Sequence, residues 1–155
     1  MTIGADDGID KYGTKDALGS TTSAVTDGSF SDGTNDLTAW TNDDDASEAA
    51  FALEFTTATT GDARSSIELH ARLMDIGDAG TEDEQVPDSN FSQRVLGRFN
   101  HNNPATGAQT AGLRVNLPNH KSSQIYEFYL RNRTGQTISA GWELSVTPIA
   151  LGPHA

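Results

Sequence analysis

The sequence predicts an all-β protein, a single β-sandwich or jelly-roll domain over residues 37–155 preceded by an extended N-terminal arm over residues 1–36. Three observations carry that expectation. Apolar and polar residues alternate with period two in run after run, which gives each run one apolar face and marks it as a half-buried strand. Clusters of Gly, Asn, Asp and Pro separate the runs, as the turns of a sandwich do. The closing runs are rich in Tyr, Phe and Trp, and aromatic faces on one sheet need a second sheet to bury them.

The arm comes first. Gly, Asp, Ser and Thr dominate residues 1–36, and Ile3, Ile9, Tyr12, Leu18, Val25 and Phe30 stand isolated among them. Such low apolar content does not offset the entropy of ordering the segment by itself. The arm is therefore expected to be mobile unless it lies on its own domain or on a neighbour. Within it Lys11, Tyr12 and Lys15 combine bases with an aromatic ring. They are candidate partner contacts, set against the plainer reading that the segment packs on a sheet edge.

The sandwich is expected to begin at residues 37–40 and to pass through the acidic turn 41–48. Residues 49–56 set Phe51, Leu53 and Phe55 against Ala52 and Glu54, the pattern of a strand, and Gly61 and Asp62 mark the turn that follows. Residues 65–76 are strong helix formers, yet Ile67, Leu69, Ala71 and Leu73 alternate with Glu68, His70, Arg72 and Met74. Pattern outweighs propensity, so this too is a strand. Residues 77–91 form a loop of a length that is uncommon inside a compact domain and tends to be functional or disordered. Its Glu82, Asp83, Glu84, Val86 and Phe91 are candidate partner contacts. Strands are expected at 94–99 and 111–117, separated by the turn 101–107, with Leu113, Val115 and Leu117 inward and Pro118 as the stop. Over residues 124–146, Tyr126, Phe128 and Leu130 alternate with Glu127, Tyr129 and Arg131, and Trp142, Leu144 and Val146 alternate with Glu143 and Ser145. With Asn132 and Gly135 between them, the two runs read as a hairpin. No internal repeat and no second domain is expected.

Charge is distributed unevenly. The net value is −12, with 13 acids and 2 bases in residues 1–62, 7 and 2 in residues 63–91, and 2 and 6 in residues 92–155. Six bases spread over strands and turns do not make the concentrated basic face that phosphate backbones require, so nucleic-acid binding is not expected. The acidic excess reads first as solubility and second as docking onto a basic surface. No run approaches the roughly 18 apolar residues of a membrane span. Residues 1–10 lack the basic and apolar regions of a signal peptide, and cysteine is absent. The expectation is a protein made in a reducing cytoplasm, with no membrane partner.

Catalytic and metal chemistry finds little footing. Asn42, Asp43, Asp44, Asp45 and Glu48 offer oxygens to a hard cation, but their acids are contiguous and lack the alternating spacing and glycine of a calcium loop. A solvated turn is preferred, and neither a metal nor another cofactor is expected. His70, His101, His120 and His154 are isolated in sequence, with no Cys to complete a zinc site. Glu54, Glu127 and Glu143 are the acids within apolar strands, each at an alternation position that faces solvent, so no carboxyl group is lodged in an apolar pocket for glycoside chemistry. Neither a nucleophile elbow nor a glycine-rich phosphate loop is present, and an enzyme is not expected. Tyr12, Trp40, Tyr129 and Trp142 remain as a sugar-stacking platform. Trp142 is in register with Leu144 and Val146 and reads as core, whereas Tyr129, opposite in face to Phe128, reads as open and as the cover of a subunit contact.

A resemblance follows from these segments. Lys11-Tyr12-Gly13-Thr14, the polar stretch after it, the run DEQVPDSNF at 83–91 leading into the Leu96-Gly97 strand, and the aromatic stretch 126–146 together resemble small virion proteins of tailed bacteriophages, the capsid decoration or cement proteins. What the resemblance implies is a sandwich or jelly-roll body, often a homotrimer, made in the host cytoplasm. It would sit on the capsid surface at junctions of the major capsid protein and stiffen the head against internal DNA pressure. The chain departs from that pattern in its more acidic N-terminal third, which bears on how it would dock. Lys11, Tyr12, Lys15, the loop residues and Tyr129 are the expected contacts. The alternative is a tail or fibre component, or a carbohydrate-binding module that recognises a host surface.

Overall fold

Phe51, Leu53 and Phe55 project from one face of their strand, Tyr126, Phe128 and Leu130 from one face of theirs, and these two faces close on each other. The structure, a computed structural model, describes residues 9–19, 22–32, 36–43, 45–55, 66–76, 83–88, 94–100, 109–118 and 123–152. The turns read at 61–62 and 101–107, and His101, His120, His154, Glu82 and Phe91, lie outside the described residues. All regular structure among the described residues is strand: β1 (Ile9–Tyr12), β2 (Asp16–Gly19), β3 (Trp40–Asn42), β4 (Glu48–Phe55), β5 (Ser66–Met74), β6 (Val95–Asn100), β7 (Gln109–Asn116), β8 (Gln124–Arg133) and β9 (Glu143–Gly152).

The strands form two antiparallel sheets, ordered β1-β9-β4-β7 with β2 also paired to β9, and β3-β8-β5-β6. The fold is all-β and the layers pack as a β-sandwich. Ala49, Phe51, Leu53, Val115, Leu144 and Val146 line the core from the first sheet, and Ile67, Leu69, Ala71, Phe99, Tyr126, Phe128 and Leu130 from the second. Phe51 meets Phe128 edge to face at 4.9 Å across the layers, a preferred geometry for aromatic pairs. The alternation read at 49–56, 65–76, 94–99 and 111–117 corresponds to β4, β5, β6 and β7.

The closing hairpin is corrected by the structure. β8 belongs to the second sheet and β9 to the first, so residues 134–142 carry the chain from one layer to the other. Each strand does have one apolar face, but the two faces look at each other across the core. The crossing is organised by Asn132, whose amide donates to Val25 O at 2.8 Å and Gln136 O at 2.6 Å while its carbonyl accepts from Thr134 N and Oγ1. Gly135, at φ 77°, and Gly141, at φ 85°, supply the left-handed backbone that this path needs.

Of the two courses open to the arm, residues 9–19 and 22–32 take the one in which it lies on its own domain. Ile9–Tyr12 pairs with β9 residue by residue from Gly152 to Ile149, and Asp16–Gly19 pairs with Val146 to Leu144. Val25 forms a bridge with Ile138 and Phe30 with Arg131. The isolated apolar residues act as plugs, since Leu18 and Val25 are buried in the core. The polar composition is matched by hydrogen bonds: Thr22 Oγ1 donates to Trp142 O, Trp142 Nε1 donates to Ser23 O, and the Asp36 carboxylate accepts from Ser23 N and Asp32 N. A segment too polar to fold alone is thus ordered by the sheet it lies on.

Candidate functional site

On the second sheet, residues that alternate away from the core were expected to meet water, and four of them do not. His70 is fully buried, Tyr129 is 2% exposed, and Glu68 and Glu127 are buried as well. Register explains the grouping, because Glu68, His70 and Arg72 of β5 lie directly opposite Arg131, Tyr129 and Glu127 of β8, and opposed residues share a face. Part of the cover comes from the N-terminal segment: Phe30 bridges Arg131, and its ring meets His70 edge to face at 4.9 Å. On the other flank the strap 83–88 runs past β5, with Glu84 N donating to Leu73 O at 2.9 Å.

Charges on this face answer one another. Glu68 lies 3.3 Å from His70 Nε2 and 3.1 Å from Arg98 Nη2. The Tyr129 hydroxyl donates to Glu127, and Arg72 Nε lies 2.7 Å from the same carboxylate, an ion pair by distance in which the N–H is not aimed at the oxygen. Burial first, and the Glu127 carboxylate second, push the Tyr129 hydroxyl well above the ordinary tyrosine range. Tyr129 is therefore a core-like network residue and not the surface contact the sequence suggested. Glu127 and His70 are corrected in the same way. Their side chains alternate outward as expected; Phe30 then packs on His70, and Arg72 and Tyr129 engage Glu127.

The candidate contacts divide between two regions. Lys11, Tyr12 and Lys15 are exposed at the margin of the first sheet, where Tyr12 is 62% exposed and Lys15 Nζ lies 3.7 Å from Glu54 Oε1. Lys11 and Tyr12, with Gly13, Pro148 and Ala150, line an open hollow of about 250 Å³, below the range of typical small-molecule sites. Asp83, Glu84 and Val86 lie together on the strap. Asp83 accepts from Asp75 N at 3.0 Å, and Glu84 takes a forked hydrogen bond from Arg94 while accepting from Leu73 N. The Arg94 hydrogen bond holds the Glu84 carboxyl below its usual range. Val86 is 44% exposed, and Ile76, just past β5, and Val95, at the start of β6, are exposed too.

Two further readings meet the geometry here. Of the four aromatic residues proposed as a sugar platform, Trp40, Tyr129 and Trp142 are buried and Tyr12 alone is exposed, so the platform is not assembled. Around the acidic turn, Asn42 is occupied by Ala46, accepting from its N and donating to its O, and Glu48 pairs with Arg114. Among the described residues no group of three or more His, Cys, Asp or Glu is placed to hold a metal ion. No helix among them is long and apolar enough to cross a membrane. No protein-family model matches the chain, and no curated protein matches its sequence.

Proposed function

We propose that the chain is a non-enzymatic structural protein of a tailed-bacteriophage virion, a decoration or cement protein. In this reading it binds the outer surface of the major capsid protein lattice as a homotrimer and stabilises the head. The observation that supports it is the placement of exposed contact groups. Tyr12 with Lys11 on β1, and Val86 with Ile76 and Val95 around the strap, belong to different sheets and leave the sandwich with two separate sticky margins. Margins of that kind suit repeated weak contacts on a lattice, where many sites together give avidity that no single site needs. The likeness of the Lys11-to-Thr14 and 83–91 segments to decoration proteins supports the same reading.

Cosedimentation with capsids that lack the protein tests it. Saturable binding is expected, weakened about tenfold or more by Tyr12→Ala combined with Val86→Asp. Absence of saturable binding sinks the proposal, and binding to tails in place of heads moves the protein to the tail.

A further inference from the structure

The bases that look scattered in sequence are brought together by register. Glu68 stands directly opposite Arg98 of β6 on one side and Arg131 of β8 on the other, and Ser66, two residues earlier on the same face, stands opposite Arg133. Three arginines thus share one end of the second sheet, with Glu68 between Arg98 and Arg131, in a chain of net charge −12. Glu68 is already engaged by Arg98 and His70. Arg131 lies with its guanidinium carbon 5.1 Å above the Phe30 ring, and its Nε is buried without a hydrogen-bond partner. The Arg98 side chain is 63% exposed and Arg133 is exposed.

We infer that this end of the sheet, Arg98, Arg131 and Arg133 around Glu68, is an oxyanion site that receives a carboxylate from a partner protein. A guanidinium whose plane is fixed on an aromatic ring keeps its edge donors for a planar, two-oxygen acceptor. Protein carboxylate is favoured over a phosphate polymer by the charges around the site. Glu68 sits between the arginines, and the −12 field of the whole chain repels a polyanion at long range, whereas one carboxylate on a neutral or basic partner surface feels mainly the local arginines. The assignment does not depend on the virion reading, since it concerns what the site binds and not which assembly supplies it.

The test is an NMR titration of the full-length protein through its arginine Nε–H signals, with sodium acetate, inorganic phosphate and a short single-stranded oligonucleotide as separate probes at constant ionic strength. Acetate is expected to give saturable shifts at Arg98, Arg131 and Arg133 but not at Arg114, weakened about threefold or more in Arg98→Gln and in Arg133→Gln, both exposed changes. Shifts that fail to saturate, or that fall equally on Arg114, overturn the site. Tighter binding of phosphate or of the oligonucleotide than of acetate overturns the carboxylate assignment.

Discussion

Gly19 occupies a point where a side chain has no room, because a Cβ there would lie 2.1 Å from the backbone oxygen of Asp36. Backbone cannot swing aside as a flexible side chain can. Gly19→Ala is expected to destabilise the protein by about 2 kcal/mol, read as a lower urea midpoint at unchanged slope; an unchanged midpoint means that residues 9–32 do not lie where the structure has them. Titrating groups displaced from their ordinary values make stability depend on pH at both ends. Glu84 is depressed below its ordinary value of 4.5, chiefly by the hydrogen bond from Arg94. Its contribution is therefore present above about pH 4.5 and lost as pH falls through the folded value. Tyr126 is pushed up to about 12 by burial, from an ordinary 10.0, so its contribution is present below 10 and lost as pH rises through 12. Urea unfolding across pH should show Glu84→Gln flattening the acid limb and Tyr126→Phe flattening part of the alkaline limb, the remainder belonging to Tyr129, which is raised as well; each variant leaves the opposite limb intact.

The strap 83–88 solves a problem created by the strand beside it. β5 and β6 lose register between Leu69 and His70, and the last main-chain bond between these neighbours is Ala71 N donating to Arg94 O. Beyond it Leu73 would present an open edge, and Glu84 closes that edge with its own N–H and with its carboxylate. Arg94→Gln removes the grip on that carboxylate, and hydrogen exchange at Leu73 should quicken about tenfold while Leu69 is unchanged; equal protection in the variant would mean the strap is held by other means. At this scale the sequence was legible where the signal is local. Alternation in Phe51-Leu53-Phe55 and in Ile67-Leu69-Ala71-Leu73 marks β4 and β5 because a strand's faces are decided residue by residue. Which strand neighbours which is not local. The faces of Tyr126 to Leu130 and of Trp142 to Val146 are equally apolar in a hairpin and across a core, and the pairing of β8 with β3 and β5, and of β9 with β1, β2 and β4, shows which occurs.

The whole molecule depends on segments distant in sequence. Tyr129 was read as open because nothing near it in sequence covers it, whereas residues 29–32 lie alongside the same strand through Phe30 and Ser31. The candidate contacts of the strap were visible from loop length and charge, and the arginine end of the second sheet was not, since Arg98, Arg131 and Arg133 become neighbours only through β5. The same dependence makes residues 9–19 and 22–32 part of the body. Deletion of residues 1–36 removes Leu18 and Val25 from the core along with the partners of Trp142 and Ile138, so the truncated chain should lose its cooperative unfolding transition; a truncation that unfolds as the full chain does would mean that this segment does not hold the sheets together.

The proposed decoration role is tested most directly by cryo-electron microscopy of phage heads incubated with the protein. The account predicts a two-layer β density at repeated positions on the outside of the head, touching the shell through the Tyr12 and Val86 margins. Heads whose outer surface carries no such density would contradict it.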